Sequence, residues 1–130
     1  MAREVVEGAK TVLDVEVELN YYVPPEALSD FDAILVGSPT YHHDMIVGVK
    51  RLFEEAAVKN VVLTGKIGGA FGSNGWSGET SKIVKEIMKN KFEMEVTEPP
   101  LVARYSPDAS DLQKCQELGK RIAEKLTQEA

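Results

Sequence analysis

Between Ile67 and Glu79 the chain reads Ile-Gly-Gly-Ala-Phe-Gly-Ser-Asn-Gly-Trp-Ser-Gly-Glu. Small residues run into a loop of Gly, Ser and Asn that holds the only tryptophan, Trp76. Glycines let the backbone come close to a bound molecule. Ser73, Asn74 and the N–H groups of Gly75 and Gly78 suit the polar rim of a flat ligand, and an indole suits its face. The same residues also suit a tight turn around a half-buried Trp. A second stretch of similar make-up, Ser38-Pro39-Thr40-Tyr41, follows the apolar run Ala33-Ile34-Leu35-Val36 and Gly37. His42-His43-Asp44 comes next, but neighbouring residues on one loop rarely point at one ion, and no further ligand cluster accompanies them. No metal site is expected there. Cys115 is the only cysteine, so one chain can form neither a disulfide nor a Cys-x-x-Cys site.

The elements that must position these loops follow from periodicity. Ala2 to Val12 is predicted as a helix with Val5, Val6, Ala9, Val12 and Leu13 on one side. Asp14 to Asn20 alternates strictly, as in a half-exposed strand with Val15, Val17 and Leu19 on one face. Pro24-Pro25 breaks the chain. Ala33 to Val36 is continuously apolar, the mark of a parallel strand buried on both faces. A helix is predicted over Met45 to Ala57, with Val49, Leu52, Phe53 and Ala56 inward. Ile67 to Gly72 is the next buried strand. Ser77 is the expected N-cap of a helix to about Lys89, with Ile83, Val84, Ile87 and Met88 as its stripe. Phe92 to Tyr105 is extended and broken by Pro99-Pro100. Ser106-Pro107 is expected to open the last helix, whose stripe of Leu112, Cys115, Leu118, Ile122 and Leu126 makes Cys115 a packing residue. Strands alternating with amphipathic helices predict an α/β sandwich around a mostly parallel sheet. Ligands bind such sheets beyond the carboxyl ends of the strands, where both loops fall.

At 130 residues the chain has the size of one domain with a real core. A net charge of −6 argues against a nucleic-acid partner and suits a basic face on a redox partner. No apolar run reaches the length of a membrane span, and the start is not that of a signal peptide. A cytoplasmic protein is expected.

Val36-Gly37-Ser38-Pro39-Thr40, Gly65-Lys66 with Gly69-Ala70-Phe71-Gly72-Ser73, and Gly75-Trp76-Ser77-Gly78-Glu79 resemble the flavin loops of the flavodoxin-like family. The match is nearest to the flavodoxin domain of A-type (flavodiiron) flavoproteins. Phe92-Glu93, Pro100-Leu101, Pro107, Asp111-Leu112, Cys115 and Glu117-Leu118-Gly119 extend the likeness to the end of the chain. The resemblance implies a flavodoxin-like three-layer sandwich that binds FMN and carries electrons between a reductase and an acceptor. Ser38, Pro39, Thr40 and Tyr41 would line one side of the isoalloxazine ring, with His42 at its rim. Ser73, Asn74, Gly75, Trp76 and Gly78 would line the other, with Trp76 against the ring. A flavin-dependent NAD(P)H:quinone-type reductase and a flavin-free interaction module are the alternatives. The diiron centre of those flavoproteins belongs to a separate domain.

The family also has a first strand and a phosphate loop of the type Thr-x-x-Asn-Thr ahead of its first helix. Met1 corresponds to a methionine inside that helix, so the first strand and phosphate loop have no counterpart here. The resemblance therefore implies weaker hold on the phosphate and three ways to complete the sheet. Asp14–Asn20 closes up against Ala33–Val36, a second chain fills the gap as in a swapped homodimer, or the gene product begins upstream.

Overall fold

The computed structural model describes residues 1–20, 23–37, 43–74, 79–97, 100–104 and 108–129. Its elements are α1 (Ala2–Lys10), β1 (Ala33–Gly37), α2 (His43–Val58), β2 (Ile67–Asn74), α3 (Glu79–Glu86), β3 (Glu95–Val96), β4 (Leu101–Arg104) and α4 (Ala109–Glu129). A 3-10 helix, Pro25–Asp30, leads to β1, and a π turn, Ile87–Lys91, closes α3. Every described strand pairing is parallel, and β2 is central. β1 lies on one side of it. β3 and β4 lie on the other, and the register shifts by two residues between them: Gly68 pairs with Val96, but Phe71 pairs with Leu101.

The strand residues alternate between two cores. On one face Ala70, with Ile34, Val36 and Val96, packs against Phe53 and Ala56 of α2, Val84 of α3 and Met88. On the other face Ile67, Phe71, Leu35 and Leu101 pack against Val5 of α1 and Cys115, Leu118 and Ile122 of α4. The molecule is thus the three-layer α/β sandwich expected from alternating strands and helices. Fully buried Phe53, Leu63, Ile67 and Met88 each contribute roughly 1.5–3 kcal/mol through loss of apolar surface from water. The π turn has a packing purpose. Phe92 N–H bonds the Ile87 carbonyl at 3.3 Å, an i to i+5 span, and the wide turn delivers the Phe92 ring into the core 5.4 Å from that of Phe53.

α1 and α4 cross at two glycines. A Cβ on Gly8 would stand 1.9 Å from the Gln116 carbonyl oxygen, and one on Gly119 would stand 1.9 Å from that of Val5. The two backbones touch, so the pair tolerates no side chain at either position. Beside this contact the Gln116 amide donates to the Glu4 carboxylate at 2.6 Å.

Four expectations are corrected. Residues 14–20 form no strand, although Val15 and Val17 remain half-buried and their neighbours exposed. Pairing with β1, whose two faces feed two apolar cores, would drive Glu16 and Glu18 into one of them. The closed-up arrangement is therefore not adopted. Leu13, expected inward, is 85% exposed, because α1 ends at Lys10 and the chain turns through Asp14 at φ 66°. β2 runs on through Ser73 and Asn74, taking them from the loop into the sheet. The last helix is capped by Asp108: Asp111 N–H donates to its Oδ1 at 2.8 Å, while Asp108 N–H donates to Asp111 Oδ2 at 3.0 Å. This reciprocal arrangement satisfies two helix-end donors; Ser77, Ser106 and Pro107 lie outside the described residues.

Gly119→Ala is expected to lower stability by about 3 kcal/mol, at the upper end of overpacking costs, read from urea unfolding; an unchanged midpoint would refute the backbone contact. Cys115, fully buried, is expected to resist a thiol reagent in the folded chain and to react fully in denaturant. Burial, the main cause, pushes its thiol above the ordinary range. This stabilising contribution is complete below the unfolded thiol pKa of about 8.5 and fades as pH rises through the folded value. Cys115→Ala should flatten the alkaline loss of stability.

Candidate functional site

The parallel register fixes where the candidate loops begin. Gly37, the last residue of β1, lies beside Phe71, and β2 continues three residues further, through Gly72 and Ser73 to Asn74. β1 at Gly37, β2 at Asn74 and β4 at Arg104 therefore end at the same carboxyl edge, with Asn74 in register with Arg104. Gly37 lets the Phe71 ring lie across the end of β1; a Cβ at that position would meet the ring at 2.4 Å. The edge has a floor of apolar side chain and a wall of extended backbone.

That wall carries bonding capacity. Ile67 N–H donates to the Asp32 carbonyl, whereas the Lys66 and Gly68 carbonyls accept from Glu95 and Thr97. Odd residues of β2 thus turn their N–H and C=O toward β1, and even ones toward the opposite edge. Continued along the strand, the alternation turns Ser73 toward the side on which β1 has already ended. Beyond Gly37, β1 offers no partner to the Ser73 main-chain groups.

The amino ends of the strands carry a brace. Lys66 Nζ donates to the Ser29 carbonyl at 3.2 Å and the Phe31 carbonyl at 2.5 Å, tying the turn before β2 to the turn before β1. Gly65, at φ 78°, donates its N–H to the Glu93 carbonyl at 3.0 Å. Gly65-Lys66, grouped by resemblance with a flavin loop, lies at the end of β2 away from the carboxyl edge and aligns strands. Glu26 pairs with Lys59 across the same region; that hydrogen bond, first among the causes, holds the Glu26 carboxyl below its usual range. At the start of α4 the Asp111 N–H bond likewise lowers Asp108.

Of the residues singled out by sequence, Ser73 and Asn74 lie on β2 and pair in register with Ala103 and Arg104. Ser38, Pro39, Thr40, Tyr41, His42, Gly75, Trp76 and Gly78 lie outside the described residues. Among the described residues no group of three His, Cys, Asp or Glu side chains comes together to hold a metal, and no helix is long and apolar enough to cross a membrane. Sequence reasoning missed Phe71 and Gly37 as the floor of the edge. The signal was available, since a large ring opposite a terminal glycine on the next strand is a packing pair.

An open parallel sheet between two helical layers, with loops of ligand-binding composition at its carboxyl edge, defines the doubly wound α/β class. No protein-family model matches the chain. It is 31% identical over 98% of its length to the type A flavoprotein FprA of Rhodobacter capsulatus, and spans 30% of that protein. It is 38% identical over 75% of its length to a nitric oxide reductase of Moorella thermoacetica, spanning 24% of it. Among solved structures, a flavodoxin from the domain Archaea superposes with a TM-score of 0.83 at 35% identity, covering 96% of this chain and 87% of that one. Flavodoxin 1 of Bacillus cereus, at 20% identity and a TM-score of 0.79, shares the fold. The chain belongs to the flavodoxin-like family, and it spans about a third or less of the length of the curated relatives it matches.

Lys66→Ala is expected to cost about 1–2 kcal/mol, the range for a partly exposed charged donor, without altering ligand binding at the carboxyl edge. Thermal unfolding and flavin titration of the same variant check both halves.

Proposed function

We propose that this chain is an electron-carrying domain that holds flavin mononucleotide by its isoalloxazine ring at the carboxyl edge of β1 and β2. The observation that carries this reading is the register: two loops of the required composition leave adjacent parallel strands, and β2 overshoots β1 so that Ser73 offers main-chain groups to the space between them. Ser38, Pro39, Thr40, Tyr41 and His42 hold one side of the ring. Ser73, Asn74, Gly75 and Gly78 bond the other, and Trp76 covers a face. The bound flavin supplies the electron transfer; the chain contributes orientation, exclusion of water and electrostatics. The net charge of −6 disfavours a negative charge on the reduced ring, which lowers the potential, and suits docking to a basic redox partner. No acid, base or nucleophile of the protein is needed, and Trp76 takes the space over the ring that a nicotinamide would require, which favours a carrier over a stand-alone reductase.

The 130 residues are expected to bind riboflavin nearly as well as flavin mononucleotide, because the recognition set lies around the ring. Trp76→Ala should weaken both by about tenfold, the upper value for an aromatic contact, and shift the flavin potential. Fluorescence titration with each flavin and a redox titration measure these effects. No binding of either flavin would sink the proposal, and turnover of NAD(P)H by the chain alone would replace the carrier with a reductase.

A further inference from the structure

Side-chain bulk alternates between β1 and β2 on the face under α1 and α4. Ala33 and Leu35 of β1 and Ile67 and Phe71 of β2 belong to that core. The register therefore sets Leu35 beside Gly69, and Gly37 beside Phe71, on the same face. In each row one strand brings a large side chain and the other a glycine. A Cβ on Gly69 would lie 3.5 Å from Leu35 Cδ2, in ordinary contact. One on Gly37 would lie 2.4 Å from Phe71 Cε2, 2.5 Å from Cζ and 3.2 Å from Cδ2. The ring thus fills the space that a side chain at Gly37 would need. It has no room to withdraw, since Phe71 is 6% exposed and packs in one cluster with Val5, Cys115, Leu118 and Ile122. Gly37 is exposed and lies in extended strand backbone that any residue adopts. A strand glycine costs stability, and the ring contact accounts for one at this place.

We propose that Phe71 is a positioning residue for the bound flavin: its ring, seated on Gly37, fixes the spacing between the end of β1 and the run of β2 beyond it. This role rests on the flavin reading above. Sequence adjacency gives the contact its reach. Ser38 follows Gly37 directly, and Ser73 comes two residues after Phe71, so one contact stands at the root of both stretches assigned to the ring. Gly37 and Phe71 are also the last pair of the described β1–β2 register. A methyl group at Gly37 would press on a ring held from behind by the core of α1 and α4. The strand ends, with no later pair to tie them, would take up the displacement. Phe71 touches no reacting atom in this role; it sets where the ring-binding groups stand.

The test uses the full 130-residue chain, with riboflavin and flavin mononucleotide as probes, and the variants Gly37→Ala, Phe71→Leu and their combination. Leucine lacks Cε2 and Cζ, the two ring atoms nearest the added methyl group, so Phe71→Leu makes room for Gly37→Ala. Gly37→Ala should weaken both flavins by about tenfold and shift the Ser73 amide resonance, and adding Phe71→Leu should restore most of the affinity, as for residues in direct contact. Phe71→Leu alone, which loosens the seat without a clash, should weaken binding by a smaller factor. Urea unfolding of each variant, beside Lys66→Ala as a chain destabilised away from the carboxyl edge, separates position from stability. Unchanged affinity in either folded single variant overturns the proposal. So does a double variant that binds no better than Gly37→Ala, or a Lys66→Ala chain whose affinity falls with its stability. Where Gly37→Ala does not fold, Phe71→Leu decides: lower affinity in a folded chain supports the role, and unchanged affinity overturns it. An unmodified chain that binds neither flavin sinks the carrier reading, and the role of Phe71 falls with it. An unmodified chain that binds, with variants that bind equally, sinks the role alone.

Discussion

Nothing larger than a methyl group stands at Gly68, Gly69 and Ala70, the middle of the central strand, and the rest of the molecule depends on it. A Cβ at Gly68 would meet the terminal methyls of Met88 and Met94 at 2.8 and 2.9 Å, and one at Gly69 would meet Ile122 at 2.9 Å. Both helical layers therefore close directly onto the backbone of β2. Bulk is supplied from the helices, where Phe53, Met88 and Ile122 reach inward. Glycine in a strand normally costs stability, because it loses more freedom and packs no side chain. Here the close approach of both layers offsets that cost.

The same economy of bulk governs the α1–α4 contact, where Gly8 and Gly119 bring two helix backbones together. The two features act in series. α4 lies against β2 through Ile122 and against α1 through Gly119, one turn earlier. A substitution at either glycine contact would lift α4 from the strand that carries the carboxyl edge, so the placement of the candidate flavin loops rests on positions with no chemistry of their own.

Much of the fold was legible from periodicity. The stripes of α2, α3 and α4 are inward as their spacing requires, and Cys115 is fully buried where its stripe placed it. Residues 14–20 misled because strict alternation signals a strand only when a neighbour exists to accept the ladder, and sequence spacing carries no information about neighbours. β2 was drawn too short for the converse reason. Ser73 and Asn74 have loop composition, but pairing with β4 holds them extended. The cap of α4 was misassigned because Ser106-Pro107 is the stronger local signal, while the Asp108–Asp111 exchange is visible only once both carboxylates are placed. For the site, composition and strand order together singled out two stretches and one sheet edge; the register adds the run of β2 past the end of β1 and the turn of the Ser73 main chain toward that side.

Between β3 and β4 the register shifts by two residues relative to β2, and the number matters. Val96 lies opposite Gly68 and joins the core under α3, while Leu101 lies opposite Phe71 and joins the core under α4. Side chains alternate with a period of two, so an insertion of one residue would have exchanged those destinations for everything that follows. A pair of residues added within the ladder ahead of Leu101 therefore leaves each residue of β4 facing its present core, whereas a single one would exchange the two.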